Sequence, residues 1–100
     1  MKFTKEMCEE QFAQLDIDLQ RWIIRTVMEL QTAQEKHPVW PKDHIHKAAI
    51  VAEECGELVQ AALKYKYEKG QYYQMHREAF QTAAMCFRFL LNTPDLPFKG

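Results

Sequence analysis

The stretch AAIVAEECGELVQAALKY, residues 48–65, decides the fold class and also raises the question of function. It is rich in alanine and leucine and contains no proline, a composition that favours an α-helix. Three glutamates, Glu53, Glu54 and Glu57, interrupt this otherwise apolar segment. Their spacing of three and four residues places all three carboxylates over about one helical turn. The segment therefore predicts a packed helix that carries a cluster of acids.

Similar helical patterns extend over most of the chain. Apolar residues recur at steps of three and four before Pro38, which disfavours helical geometry in the residue that precedes it. Asp43 is placed to cap a second helix, and Gly70 is predicted to close that helix in a left-handed conformation. The predicted helices cover about residues 9–36, 43–69 and 71–92, followed by an irregular tail, 93–100. No segment alternates as a strand does, so we expect an all-α fold of three main helices in one domain, residues 1–100.

Composition limits the possible settings and partners. The three cysteines are widely spaced and odd in number, which fits neither a disulfide framework nor a thiolate zinc site and favours a reducing, cytoplasmic environment. The polar N-terminus and the lack of a long apolar run predict neither a signal peptide nor a membrane span. A net charge of −1 lacks the basic character expected for binding a nucleic-acid polymer. We expect a soluble protein, and this charge is compatible with a small anionic ligand held by a metal.

The acid cluster in the second helix calls for a positive partner. No basic residue occurs between Lys47 and Lys64, so the carboxylates have no local ion pair. A divalent cation would remove the repulsion, and Mg²⁺ or Mn²⁺ prefers such oxygen ligands. The alternative is a solvated acidic helix face.

The third predicted helix offers residues for the opposite side of such a site. Glu78 and Gln81 lie three positions apart on one helical face. If the chain reverses near Gly70, an antiparallel pair of helices could bring them opposite Glu54 and Glu57. The alternative for Glu78 is an ordinary surface ion pair with a nearby basic residue.

Two segments together resemble a known family. AEECGELVQAAL, residues 52–63, followed by REAFQTAAMCFRFL, residues 77–90, is similar to the MazG-like all-α nucleoside triphosphate pyrophosphohydrolases, and the resemblance covers about residues 45–91. The family pattern is Glu-x-x-Glu on one helix and Glu-x-x-Asp on a later one. It implies that Glu54, Glu57, Glu78 and Gln81 hold Mg²⁺, and that water attacks between the α- and β-phosphates of a nucleoside triphosphate. The products would be a monophosphate and pyrophosphate.

Gln81 departs from the family pattern, because glutamine stands where an aspartate is expected. An amide oxygen can bind Mg²⁺ but adds no negative charge, so one metal position should be weakened. The leading hypothesis is a Mg²⁺-dependent pyrophosphohydrolase. The alternatives are a relative that binds nucleotide or metal without efficient turnover, and a structural helical interaction module.

Further residues are candidates for roles around the metal. Glu53 is predicted to be an extra ligand or the base that orients the water. Arg88, isolated in an apolar helix, and Lys64 are candidates for binding triphosphate oxygens. Trp40 could stack on a nucleobase, although an aromatic ring there more often simply closes the end of the bundle.

The third helix also predicts an assembly. It is apolar on almost every side from residue 79 to residue 91, and two other helices cannot cover all of it. We expect a homodimer or homotetramer that completes a helical bundle. Cys55 and Cys86 are predicted to be buried as small apolar residues of these helices.

Overall fold

The computed structural model describes residues 4–93, and all regular structure in this range is helical. The all-α prediction is confirmed. The prediction of three helices is wrong, because the first splits in two. Most of the predicted tail, residues 94–100, lies outside the described residues. The helices are α1 (Lys5–Gln14), α2 (Ile17–Lys36), α3 (His44–Tyr67) and α4 (Tyr72–Leu91).

The break between α1 and α2 lies at Leu15 and Asp16. Leu15 has an extended backbone, and its N–H donates to the carbonyl of Phe12. The Asp16 carboxylate accepts the N–H of Asp18 at 3.2 Å and so caps α2. Aspartate is favoured at this capping position over a helix interior, because its short side chain satisfies a free backbone donor. The continuous helix predicted over residues 9–36 missed this break because the apolar spacing runs through it.

Of the predictions for the two ends of α3, the one for its start is correct and the one for its end is wrong. Asp43 caps the helix as expected, and its carboxylate accepts the N–H of His46 at 2.9 Å. At the other end, Lys69 and not Gly70 has the left-handed backbone, with a φ of 57°. Gly70 is needed for a different reason: a Cβ there would lie 3.0 Å from the main chain and Cβ of Lys64. The close approach of the chain to the end of α3 therefore selects glycine.

α3 and α4 form an antiparallel hairpin. Near the start of α3, the Lys47 amine is buried and donates to the carbonyl of Asn92, just beyond α4, at 2.6 Å. At the opposite end of the hairpin, the rings of Tyr65 and Tyr72 meet edge to face with centroids 5.4 Å apart. The middle turns of the two helices consequently lie side by side.

α2 packs on the other side of α4 and runs in the same direction. The Trp22 ring near its start lies 5.5 Å from that of Phe80, and Ala33 near its end accepts a hydrogen bond from Arg88. α4 is thus the central helix. The small core comprises Leu30, Ala84 and Met85, packed against Ala33, Trp40, Ile50 and Val51.

Much apolar surface stays exposed around this core. α1 has no buried residue. The predicted burial of Cys55 and Cys86 is wrong, since both thiols are exposed on the outer sides of α3 and α4. Within residues 4–93, none of the helices combines the length and the apolar character that crossing a membrane requires.

Candidate metal centre

Three carboxylates meet between α3 and α4. Glu54 and Glu57 come from neighbouring turns of α3, and Glu78 comes from the facing turn of α4. One oxygen from each residue lies within 4.8 Å of the other two. The antiparallel hairpin is what brings Glu78 to the α3 acids, 21 or more positions away in sequence.

The three acids differ in exposure. Glu57 is exposed, whereas Glu54 and Glu78 are half-buried. The Oε2 atoms of Glu54 and Glu78 are fully enclosed, and neither has a hydrogen-bond partner. A buried acceptor without a donor costs free energy, so these two atoms call for a partner.

Burial and mutual repulsion together raise the pKa of two carboxyls in this cluster. Burial is the largest cause of a raised pKa at Glu54, and the charges of Glu57, Glu78 and Glu53 raise that pKa further. Burial also raises the pKa of Glu78, with Glu57 adding to the effect and Arg77 partly opposing it. Both carboxyls are therefore held in surroundings that disfavour their charged forms.

A divalent cation fits this arrangement. In the described part of the chain, none of the three carboxylates takes part in an ion pair. The site offers hard oxygen donors, two of them enclosed and free to coordinate, which suits Mg²⁺ or Mn²⁺ better than a softer metal. A bound cation would offset the repulsion between the carboxylates and would give the two enclosed oxygens a partner.

Gln81 lies one helical turn after Glu78 and is half-buried. It lines a cavity of about 370 Å³ together with Glu54, whereas Glu57 and Glu78 line a second cavity on the other side of the cluster. The structure thus places Gln81 beside the site, on the side of Glu54. Its amide contributes no charge to balance a cation.

The first cavity lies between α2, α3, α4 and the loop that precedes α3, and two predicted substrate residues line it. Trp40 is half-buried, and its Nε1 is enclosed without a partner. The Arg88 guanidinium lies over the Trp40 ring, 4.8 Å from its centroid. Trp40 also packs on the core, so it closes the end of the helices and borders the cavity at once.

Arg88 has a structural role as well as its place in the cavity. It is 3% exposed and donates to the carbonyls of Ala33 and His37 at the end of α2. Within residues 4–93 it has no carboxylate partner. Burial lowers the pKa of Arg88 from its ordinary value, although an arginine remains charged at neutral pH. The side chain therefore holds the end of α2 and leaves a positive charge beside the cavity.

The second cavity, of about 490 Å³, is more polar. Its lining includes Glu57 and Glu78 together with Lys64, Gln60 and Gln74. Lys64 is exposed there, so its ammonium group can reach an anion bound next to the acids. The structure thus places Lys64 on one side of the cluster and Arg88 on the other.

Glu53 stands apart from the other acids. It is exposed, lines neither of the two cavities and does not join the three carboxylates that lie within 4.8 Å. Its charge nevertheless raises the pKa of Glu54. Its position supports an electrostatic effect through Glu54 more than direct contact with a ligand.

Sequence reasoning missed Glu29 and the end of α2. Glu29 is half-buried, lines the first cavity and pairs with Arg25 at 3.6 Å. It lies three residues after the buried Thr26, so its position on the buried side of α2 was a usable signal. The contribution of the His37 carbonyl, which binds Arg88, had no sequence signal, because any residue supplies a carbonyl.

Comparison with known proteins does not assign the chain. No protein-family model matches it, and no curated protein and no solved structure is significantly similar to it. The function must therefore be inferred from the residues and their geometry.

Proposed function

We propose that the protein is a Mg²⁺-dependent nucleoside triphosphate pyrophosphohydrolase of the MazG-like type, which converts its substrate to a monophosphate and pyrophosphate. The observation that carries the proposal is the meeting of Glu54, Glu57 and Glu78 on an antiparallel helical hairpin, with two enclosed oxygens lacking a partner. This cluster joins the two segments on which the family resemblance rests.

The metal would be held by the three glutamates, with Gln81 as a further oxygen donor on the side of Glu54. Mg²⁺ at such a site neutralises phosphate oxygens and lowers the pKa of a bound water, and Mn²⁺ can take its place. The protein supplies the fixed spacing of the carboxylates, which the helix packing sets before any ligand binds.

The two cavities beside the cluster favour one orientation of the bound substrate. The first has a volume of about 370 Å³, within the usual range for small-molecule sites, and Trp40 gives it an aromatic wall for a nucleoside. The second holds Lys64, whose ammonium suits phosphate oxygens. Arg88 contributes positive charge near the first cavity, and Glu53 acts on Glu54 from outside it.

We also propose that the helices complete a MazG-like bundle by association into a homodimer or homotetramer. The support is the apolar surface of the outer helices. On α4, Leu90 and Leu91 are 64% and 66% exposed, and on α3 Val59 is 59% exposed. A monomer in water gains nothing from such surface, whereas association buries it.

A second candidate function is nucleotide or metal binding without efficient turnover. Gln81 favours it, because a neutral amide weakens one side of the metal site. Gln81→Asp should then lower the dissociation constant for Mg²⁺ and increase turnover. Unchanged Mg²⁺ affinity in this variant would mean that residue 81 does not contact the metal.

The test is product analysis with purified protein, Mg²⁺ and a panel of nucleoside triphosphates. The proposal predicts monophosphate and pyrophosphate in equal amounts, and loss of both in Glu57→Gln. Glu10→Gln, an exposed α1 glutamate far from the cluster in sequence, is the matched control. Release of diphosphate and inorganic phosphate would contradict the proposed bond cleavage.

Two further outcomes separate the alternatives. Nucleotide-dependent thermal stabilisation without products would select the binding function. If neither Mg²⁺ nor any nucleotide changes the thermal stability, both proposals fail and the helical interaction module stands.

A further inference from the structure

Charge and tyrosine are unevenly distributed along the chain. Residues 64–77, KYKYEKGQYYQMHR, cover the end of α3, the link and the start of α4. This segment has four basic residues and one acid, a net charge of +3, whereas the remaining nine basic and thirteen acidic residues give the rest a net charge of −4. All four tyrosines of the chain also lie in this segment. The net charge of −1 for the whole chain therefore hides one basic, aromatic end of the α3–α4 hairpin.

The four tyrosines lie at the surface of the described chain. Tyr65, Tyr67, Tyr72 and Tyr73 are between 47% and 68% exposed. Rings that are exposed to this extent contribute little to a core, so their concentration at one end of the hairpin needs another reason. Tyrosine is typical of binding surfaces, because it combines a large apolar ring with a hydroxyl that stays in water.

A row of five aromatic rings crosses from the end of α3 over α4 to α2. The centroids of neighbouring rings are 5.3–5.8 Å apart, and their planes are inclined by 44–73°. No neighbouring pair is therefore stacked face to face, and the exposed rings can stack on a planar ligand. The ring row consists, in order, of Tyr65, Tyr72, His76, Trp22 and Phe80.

Two further cavities adjoin the ring row, with volumes of about 350 Å³ and about 370 Å³. Trp22, Tyr72, His76 and Phe80 line both of them. Among the described residues, no acid lines either cavity, and neither includes a carboxylate of the metal centre. These cavities are thus a separate place on the molecule, with aromatic walls and no negative charge.

Two arginines line the smaller of these cavities. The Arg25 guanidinium lies 5.2 Å from the centroid of the Phe80 ring, and its side chain is 52% exposed although it also pairs with Glu29. Arg77 is exposed and forms no ion pair within residues 4–93. Guanidinium groups beside open rings suit a ligand that has both planar rings and negative charge.

Two lysines extend the positive charge to the other end of the ring row. Lys66 and Lys69 are exposed near the end of α3, and neither forms an ion pair in the described part of the chain. The Lys66 amine lies 5.1 Å from the centroid of the Tyr67 ring. A ligand with a single charge would use only one of these basic groups. Several groups spread along a row of rings match the repeated charge of a phosphate backbone.

We propose that this end of the hairpin is a docking surface for single-stranded nucleic acid. The bases stack on the ring row, and the phosphates contact Arg25, Lys66, Lys69 and Arg77. Aromatic rings combined with basic groups that follow the backbone bind single strands without sequence preference. A duplex fits less well, because its bases are already stacked on one another. The surface has no feature that recognises the sugar, so DNA and RNA strands of the same sequence should bind alike.

The first test measures the stacking contribution by fluorescence anisotropy of a labelled oligothymidylate in EDTA. Wild-type protein should bind at low salt with a dissociation constant below about 10⁻⁴ M. Tyr72→Leu should weaken binding at least about fivefold with unchanged helical circular dichroism, whereas Tyr72→Phe, which keeps the ring, should bind as wild type does. No binding at that concentration, unchanged affinity in Tyr72→Leu, or equal affinity for a duplex of the same sequence would overturn the proposal.

The second test measures the charge contribution from the salt dependence of the same binding. Arg77→Gln should reduce the slope of log affinity against log salt by about 0.7. Arg21→Gln is the matched control, because Arg21 is exposed on α2 and lines neither of the two cavities. A slope that falls equally in both variants would contradict the proposed contact. Binding to phosphatidylserine vesicles without binding to the strand would identify a membrane surface instead and overturn the proposal.

A third variant separates this surface from the metal centre. Glu57→Gln should bind the strand as wild-type protein does, because Glu57 lines neither of the two cavities. Equal loss of strand binding in Glu57→Gln and Tyr72→Leu would place the strand at the metal centre and overturn the proposal. The measurements contain neither Mg²⁺ nor a nucleoside triphosphate, so their outcome is independent of the proposed catalysis.

Discussion

Replacing Glu57 with glutamine is expected to stabilise the metal-free protein and to remove its response to Mg²⁺. The substitution keeps the size and helix preference of the side chain but removes one of three charges that lie within 4.8 Å of one another. The new amide can also donate to the enclosed Oε2 atoms of Glu54 and Glu78, which have no partner. The substitution removes no buried packing contact, because Glu57 is exposed.

The size of this effect follows from the geometry. Two unit charges 4.8 Å apart, the upper limit for the oxygens of this cluster, repel by about 0.9 kcal/mol at the dielectric constant of water and about 3.5 kcal/mol at an effective constant of 20. The lower figure applies to an exposed side chain such as Glu57, because solvent screens its charge. With two neighbouring carboxylates, the free energy of unfolding should rise by about 2 kcal/mol.

Urea unfolding in EDTA and in excess Mg²⁺ measures both parts of the prediction. Wild-type protein should be stabilised by Mg²⁺, whereas Glu57→Gln should be more stable than wild type in EDTA and insensitive to Mg²⁺. Glu10→Gln should behave as wild type in both solutions. A Glu57→Gln protein that is less stable than wild type in EDTA would refute the repulsion argument.

Three further predictions concern buried or half-buried charged groups. Burial raises the pKa of Glu54 and Glu78 above the ordinary value of 4.5. Protonation of these two carboxyls therefore stabilises the folded protein, and this stabilisation is complete below pH 4.5 and is lost as the pH rises through the raised pKa values. The Tm in EDTA should thus fall as the pH rises above about 4.5, and should fall less in Glu54→Gln/Glu78→Gln; equal slopes would contradict this. Arg88→Met should lower the free energy of unfolding by about 2 kcal/mol through loss of its bonds to the end of α2, and urea unfolding that matches wild type would count against that role. Lys47→Met should also lower the free energy of unfolding by about 2 kcal/mol, because the buried amine binds the end of α4. Lys42→Met is the exposed control in the same urea assay.

The all-α fold class and the antiparallel pairing of α3 with α4 could be predicted from the sequence because their causes are local. The composition of residues 48–65 favours a helix, and Asp43 caps it through a neighbour three residues away. The short link before α4 leaves little choice but an antiparallel return, which brings Glu78 to Glu57. The three-carboxylate cluster was accordingly within reach of sequence reasoning.

Other features depend on causes that apolar spacing does not encode. The break at Asp16 arises from a capping bond, while the apolar repeat continues past it. Periodicity showed that α3 is apolar but not which of its two apolar sides contacts the chain, so Cys55 was placed in the core when it is exposed. The burial of Lys47 and Arg88 depends on backbone carbonyls far away in sequence, which carry no residue-specific signal.

The central claim is that Glu54, Glu57 and Glu78 form one divalent cation site, and direct binding of Mn²⁺ tests it. Titration followed by electron paramagnetic resonance should show one bound ion per chain in wild-type protein, displaced by excess Mg²⁺. The Glu54→Gln/Glu57→Gln variant should leave the ion free in solution, while Glu10→Gln should bind as wild type does. Equal Mn²⁺ binding by the double variant and the wild type would contradict the account.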